Sequence, residues 1–252
     1  MRFVCVDSGS SGNCYLIFDG EHSLILDCGK SISWDEVQNH FKFNSGEIDA
    51  CLITHIHSDH YGNIKEMRDR GISIYSNKET ADFTYLTLKR RKVKCLKEKQ
   101  FTEISGGWKV LPWYVPHTGG DGEDCPCFAY YIHSPSGHRI IYITDFMYSP
   151  VTFKSFNVNT ILVACNHDDD IEELENSTKF RHILSGHSKL SVVKELLRQN
   201  QTEHLKNVIL CHLSRENATE SEMLRQVQEV VGGSVQVVIA TKGTSIDLGG
   251  SK

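Results

Sequence analysis

The chain has 252 residues, a net charge of −5, 39% hydrophobic residues and 23% charged residues, which is ordinary for a globular protein. This length allows one large core, and no linker-like segment divides it, so we expect a single domain over residues 1–252. No apolar run is long enough to cross a membrane and residues 1–20 lack a signal-peptide pattern, so we expect no membrane partner and a cytoplasmic location. The acidic balance argues against a protein that coats nucleic acid.

Short runs rich in β-branched and aromatic residues, bounded by turn signals such as SGSSGN, DG, PSG and GG, predict strands. They span 3–6, 14–18, 24–27, 50–54, 109–115, 128–133, 139–144, 160–164, 207–211 and 235–240. Apolar residues that recur at three and four predict helices at 34–41, 61–70, 78–90, 188–199 and 219–231. Early antiparallel-type strands, followed by alternating strands and helices, favour an α/β protein with two packed sheets and helices outside, a four-layer αββα sandwich.

The nine cysteines show no CxxC spacing, which indicates a reducing compartment. Five of them are expected to pack as small hydrophobic side chains in or beside apolar segments, namely Cys5, Cys28, Cys51, Cys165 and Cys211. Cys125 and Cys127 flank Pro126 in a polar loop. We expect two exposed thiols there, with a minor metal or redox role as the alternative.

Residues 54–60 read THIHSDH and directly follow the apolar run 50–53. Imidazole and carboxylate groups suit catalytic divalent cations, whereas closed structural zinc sites usually take thiolates, which this loop lacks. His55 and His57 lie two apart at a strand end, so we expect them to point the same way and to hold one ion.

Asp59 and His60 follow where the chain turns toward the predicted helix 61–70. They lie too far around the turn to bind the first ion, so we expect them to bind a second ion beside it. The alternative is a polar loop in which Asp59 caps this helix.

Three further candidate ligands follow predicted strands, at the carboxyl ends where loops gather and sites form. They are His117, Asp145 and His212. A lone aspartate or histidine at a strand end would be unremarkable. The three together with the heptapeptide indicate a two-metal site.

The heptapeptide resembles the HxHxDH signature of the metallo-β-lactamase superfamily. LILDCG (24–29), VPHTGG (115–120), YITDF (142–146) and VILCHLS (208–214) are similar to its remaining motifs, in the expected order. The resemblance runs from the first strand to about residue 240, and it implies the αββα fold and a dinuclear centre of zinc or manganese.

By position, the resemblance implies seven metal ligands. They are His55, His57 and His117 for one ion, Asp59, His60 and His212 for the other, and Asp145 as the bridge between the ions. Asp27 would brace the histidine loop through hydrogen bonds without touching a metal, against the alternative of a simple turn.

An aspartate bridge, in place of the cysteine of true β-lactamases, makes the site harder and favours phosphate esters. SGHSKLSVVKELL (185–197) and CHLSREN (211–217) resemble elements of transfer-RNA 3′-processing enzymes and of small bacterial exonucleases. SGSSGN (8–13) and NHD (166–168) are similar to segments of the exonucleases. We therefore expect a phosphodiesterase, in the first place an exonuclease-like nuclease that cleaves DNA or RNA with a metal-bridging hydroxide.

His187, at the start of a predicted helix, is expected to protonate the leaving oxygen or to bind a phosphate oxygen. In the alternative interpretation, Ser188 caps the helix and His187 is only the residue next to the cap. The two predicted catalytic residues are therefore His187 and Asp59, which is also a predicted metal ligand. His167 and Asp168 are candidates to orient His187.

The substrate stays open at this stage. Seven basic residues against one acid between 89 and 99 indicate either a phosphate contact strip or a solvated helix end. A phosphodiesterase for small cyclic nucleotides or dinucleotides is the main alternative to a nuclease, followed by a thiolesterase or lactonase, while the complete ligand set disfavours a non-enzymatic binding module. The expected partners are a nucleic acid or nucleotide substrate and, as an open alternative to a monomer, a second copy in a homodimer.

Overall fold

The computed structural model describes residues 1–30, 33–41, 45–87, 93–119, 122–168, 188–214 and 219–249. The chain divides into two compact units. The first unit comprises Met1–Pro112, Ile132–His138 and Thr241–Lys252, and the second comprises Trp113–Tyr131 and Arg139–Ala240.

The first of two seven-stranded sheets is mixed. Its strands are β1 (Arg2–Asp7), β2 (Cys14–Asp19), β3 (His22–Leu26), β4 (Ala50–Leu52), β5 (Ser73–Ser76), β6 (Lys94–Cys95) and β14 (Ser245–Asp247). They lie in the order β14-β1-β2-β3-β4-β5-β6. Pairing is antiparallel from β14 to β3 and parallel from β3 to β6.

Parallel neighbours need crossover connections, and in this part of the chain the connections contain helices. These are α1 (Trp34–Phe41), α2 (Ser58–Tyr61), α3 (Ile64–Asp69) and α4 (Lys78–Thr87). Trp34 of α1 and Met67 of α3 are buried against β-strand residues such as Leu16, Ile25 and Cys51. This core anchors the loop that leaves β4, which contains the heptapeptide.

The second sheet has the order β13-β12-β11-β10-β9-β8-β7. Its strands are β7 (Thr102–Glu103), β8 (Lys109–Val115), β9 (Cys127–His133), β10 (Arg139–Ile143), β11 (Thr160–Ala164), β12 (Asn207–Cys211) and β13 (Gln236–Ile239). β10 to β13 pair in parallel. Helices α5 (Leu190–Asn200) and α6 (Glu220–Val231) belong to the same part of the chain, and α6 packs against both α5 and β13.

The predicted fold class is confirmed, because two mixed sheets flanked by helices give the αββα architecture. Every predicted strand overlaps an observed one, whereas β5, β6, β7 and β14 were not predicted. The predicted helix 61–70 is observed as the shorter α3 (Ile64–Asp69), and its predicted start is wrong, since Tyr61 belongs to the separate helix α2. The predicted helix 78–90 is observed as far as Thr87, and its end lies outside the described residues. Among the described residues, we find no helix with the length and apolarity needed to cross a bilayer.

Candidate metal centre

The first group of candidate ligands lies in the histidine turn, which we define as residues 54–61. His55 Nε2 lies 3.0 Å from His57 Nδ1, so the prediction that these two rings face the same way is confirmed. Asp59 Oδ2 lies 3.4 Å from His60 Nε2. Both separations match those of two atoms bound to one cation, whose bonds to nitrogen or oxygen measure about 2.0–2.2 Å.

Helix α2 begins at Ser58, with His57 as its N-cap and no side-chain capping bond. Asp59 therefore lies inside the first turn of the helix. The alternative reading of Asp59 as a helix cap is wrong, which leaves its carboxylate for another role.

Asp27 braces the histidine turn, as predicted. Its Oδ1 accepts a hydrogen bond from the backbone N–H of Thr54 at 2.8 Å, and its Oδ2 lies 2.7 Å from His60 Nδ1. A carboxylate only accepts, so Nδ1 of His60 carries a proton, and in the neutral form of the ring the lone pair is then on Nε2. This is the tautomer in which Nε2 can bind a metal.

Asn13 is a bracing residue to which the sequence analysis gave no role. Its Nδ2 lies 3.2 Å from His60 Nε2 and 3.4 Å from Asp59 Oδ2, and its backbone N–H donates to Asp59 O at 2.7 Å. The SGSSGN segment carried the signal, but only as a likeness between sequences. The contact itself joins positions 46 and 47 residues apart.

Close backbone approach around Asn13 requires a glycine at position 29. A Cβ on Gly29 would lie 2.1 Å from Asp59 O and 2.5 Å from Asn13 N. No side chain fits at these distances, so the segment after Asp27 and the histidine turn pack backbone against backbone.

The second group of candidate ligands, in the second unit, contains His117, Asp145 and His212. All three are buried, and each follows the end of a strand, β8, β10 or β12. His212 Nε2 lies 3.4 Å from Asp145 Oδ2. Asn166 supports His212, since its Nδ2 donates to the His212 carbonyl at 2.9 Å and lies 3.2 Å from Nδ1.

The backbone is strained at three of these positions. Asp27, Asp145 and His212 have φ values of 56°, 45° and 55°, in the left-handed region where few residues other than glycine occur. Such conformations cost about 1–3 kcal/mol and cluster at functional sites.

Cys125 and Cys127 are both buried, so the expectation of two exposed thiols is wrong. The physical reason is that the loop folds back on itself, with a bridge between Thr118 and Asp124 and a bond from Cys125 N to His117 O. Cys127 then opens the buried strand β9.

Several predicted residues lie outside the described residues, namely His187, Lys89, Arg90, Arg91 and Lys92. His167 is buried with Nδ1 3.0 Å from Asp168 O, and Asp168 Oδ2 accepts a bond from Thr219 N. The role of these two residues in orienting His187 stays a prediction. Convergence of the seven predicted ligands on two ions stays a prediction as well.

The described part of the basic strip includes Lys94, whose Nζ lies 4.8 Å from the ring centre of Tyr75 and donates to the Tyr75 hydroxyl. Lys99 pairs with Glu98. These two lysines therefore already make contacts within the protein, which weakens the case that they form a phosphate contact strip.

The family model described as the metallo-beta-lactamase superfamily matches residues 7–144, more than half of the chain. The chain belongs to this superfamily, a superfamily of hydrolases.

Several curated relatives carry nuclease names. The chain is 24% identical over 255 residues to Exodeoxyribonuclease YycJ of Bacillus anthracis, a match that covers 98% of this chain and 92% of that protein. It is 34% identical to Ribonuclease TTHA0252 of Thermus thermophilus over 74 residues, which cover 28% of this chain and only 17% of that protein.

Solved structures agree on the fold. The metallo-beta-lactamase fold protein YhfI of Bacillus subtilis matches with a TM-score of 0.72 at 18% identity, over 97% of this chain and 98% of that one. The short form of human tRNase Z matches with a TM-score of 0.64 at 14% identity, over 99% and 100% of the two chains. At these identities the likeness shows the αββα fold and nothing finer.

Proposed function

We propose that this protein is a dinuclear-metal-dependent phosphodiester hydrolase, and that it acts as an exonuclease-like nuclease on DNA or RNA. The observation that carries the proposal is the set of buried imidazoles and carboxylates, held by Asp27 in the first unit and Asn166 in the second. Superfamily membership and the nearly full-length likeness to a protein named exodeoxyribonuclease support it.

The donor set fits divalent cations. Imidazole and carboxylate ligands suit zinc and manganese. Three pairs of candidate ligand atoms, in His55 and His57, Asp59 and His60, and Asp145 and His212, lie 3.0–3.4 Å apart. The ligands would be His55, His57 and His117 for one ion, Asp59, His60 and His212 for the other, and Asp145 for both. Bound ions would acidify a water molecule and neutralise charge on the phosphoryl oxygens.

The protein side chains prepare this chemistry before substrate arrives. Asp27 fixes the tautomer and orientation of His60, and Asn13 holds an amide beside Asp59. Because Asp59 and Asp145 supply two carboxylates, the centre is hard and suits phosphate oxygen. We further propose that His187 protonates the leaving oxygen or binds a phosphate oxygen.

A phosphodiesterase for small cyclic nucleotides or dinucleotides is the second candidate. It is favoured by the net charge of −5 and by the acidic run DDDIEELE at 168–175, which directly follows His167. Negative charge there repels a long polyanion more strongly than a small nucleotide.

The reaction class is tested with bis-p-nitrophenyl phosphate in the presence of zinc or manganese. We expect metal-dependent turnover by the wild type and a loss of at least about 100-fold in Asp145→Ala, the size of effect seen when one charge-stabilising group is removed. Asp69→Ala, at an exposed position paired with Arg68, is the matched control. Cleavage of thioesters or lactones with no turnover of the phosphodiester would contradict the proposal.

Single-stranded DNA, RNA and cyclic mononucleotides then separate the two candidates. Faster cleavage of polynucleotides supports the nuclease, and cleavage of cyclic mononucleotides alone supports the second candidate.

Light scattering decides between a monomer and the homodimer that the sequence left open. We further propose a cytoplasmic location, which is supported by the free thiols of all nine cysteines.

A further inference from the structure

Cys125 is a buried thiol beside a predicted metal ligand. After β8, the chain passes through His117 and then folds back, with Gly119 N bonded to Glu123 O and a bridge between Thr118 and Asp124. Cys125 N then donates to His117 O at 2.9 Å. This return sets the two side chains next to each other.

The distance between the two groups suits a shared ion. The ligand atoms of His117 and Cys125 lie within 4.8 Å of each other, with side chains only 4% and 6% exposed. A zinc ion with bonds of about 2.3 Å to sulfur and about 2.0 Å to nitrogen holds such atoms roughly 3.5 Å apart in a tetrahedral site. The two atoms therefore need to approach each other by at most about 1.3 Å to share the ion.

We infer that the Cys125 thiolate is an additional ligand of the metal ion that His117 holds, which rests on the function proposed above. On binding, the S–H bond breaks, its proton passes to solvent, and a sulfur–metal bond forms without oxidation or reduction. His117 and Cys125 then contribute one imidazole and one thiolate to the same ion. A buried hydrophobic cysteine is the competing explanation.

A thiolate changes which metal this position prefers. Sulfur ligands favour zinc and other softer ions, whereas manganese prefers oxygen. The ion at His117 should therefore be zinc in preference to manganese. The other ion, at Asp59, His60 and His212, should show no such preference for zinc.

Cobalt substitution tests the sulfur bond directly. The purified protein is stripped with chelator and reloaded with two equivalents of Co²⁺. A bound thiolate gives an intense sulfur-to-cobalt charge-transfer band in the near ultraviolet. We expect this band in the wild type and in Cys127→Ser, and its loss in Cys125→Ser. Cys127 is the matched control because it is also buried and lies two positions away, at the start of β9, where its Sγ donates to Thr144 O.

Affinity provides a second readout. Loss of groups that only support a ligand costs about 10–100-fold in metal affinity, so Cys125→Ser should lose at least about tenfold for zinc. Manganese affinity should change little, because Mn²⁺ gains little from sulfur. Equal zinc affinity in Cys125→Ser and wild type overturns the inference.

X-ray absorption at the zinc edge needs no variant, so it decides the question even if Cys125→Ser does not fold. A sulfur shell at about 2.3 Å supports the inference. A purely nitrogen and oxygen shell in a protein that binds zinc and cleaves phosphodiesters overturns it and leaves the proposed function standing. A wild-type protein that binds no metal overturns both.

Discussion

Asp27 shows how one residue organises a site without joining it. One of its carboxylate oxygens accepts a hydrogen bond from the Thr54 backbone, and the other accepts one from the His60 ring. A neutral amide at this position keeps the shape and the left-handed backbone that asparagine tolerates. It would, however, present an N–H group to the ring nitrogen that now donates.

Asp27→Asn should therefore lower metal content and phosphodiesterase activity by about 10–100-fold while the protein stays folded. Metal analysis and kcat measure the effect. Asp19→Asn is the control, since Asp19 is also a buried aspartate of the first unit that accepts a backbone bond, from Ser136 N, but does not touch the histidine turn. Equal losses in both variants would show a general effect of removing a buried charge.

Gly29→Ala tests the backbone contact between positions 29 and 59. The added methyl group would lie 2.1 Å from Asp59 O, and overpacking of this kind costs about 1–3 kcal/mol. We expect a lower free energy of unfolding in urea and reduced activity. Gly46→Ala, where a Cβ meets nothing within 4 Å, should change neither. Wild-type stability in Gly29→Ala would show that the segment yields easily.

The sequence predicted the histidines and aspartates at strand ends because their chemistry and position are both visible in one dimension. The bracing role of Asn13 depends on a contact with His60, 47 residues away, which no local pattern encodes. The burial of Cys125 depends on a loop that folds back on His117. The polar residues next to Cys125 in the sequence predicted an exposed thiol, which is wrong.

At the scale of elements, the split between α2 and α3 has a tertiary cause. Asp59 O accepts a bond from Asn13 N, and Asn63 N donates to Cys28 O. These contacts replace the bond from Asn63 N to Asp59 O that a continuous helix would make. The apolar period over 61–70 could not reveal this, and the unpredicted strands β6, β7 and β14 have only two or three residues in which to show a period.

The strands and adjoining loops bury eight of the nine cysteines and leave only Cys95, in the edge strand β6, exposed. Burial raises the pKa of the Cys14 and Cys51 thiols well above the ordinary value, so these thiols stay protonated and unreactive. A disulfide reagent at pH 8 should label one thiol rapidly in the native protein and nine after denaturation. Cys95→Ser should remove the rapid phase, and two or more rapid thiols would contradict the burial.

At the scale of the whole molecule, bound metal is either required for folding or binds to a fold that forms without it. Each unit has its own apolar interior, with Trp34 and Met67 in the first and Trp113, Phe128 and Phe153 in the second. Hydrogen bonds from protein groups already hold His60 and His212. The fold itself thus positions these two candidate ligands.

Removal of metal should therefore abolish hydrolysis and leave the fold intact. We expect an unchanged far-ultraviolet circular dichroism spectrum at 25 °C after chelation and dialysis, together with a lower Tm. Metal at 100 times its Kd adds about 2.7 kcal/mol to the free energy of unfolding for each site that binds only the native state, so zinc should restore both activity and Tm. Dialysis with zinc-saturated chelator is the control. Collapse of the spectrum on chelation would instead mean that the ions hold the protein together, as in zinc fingers.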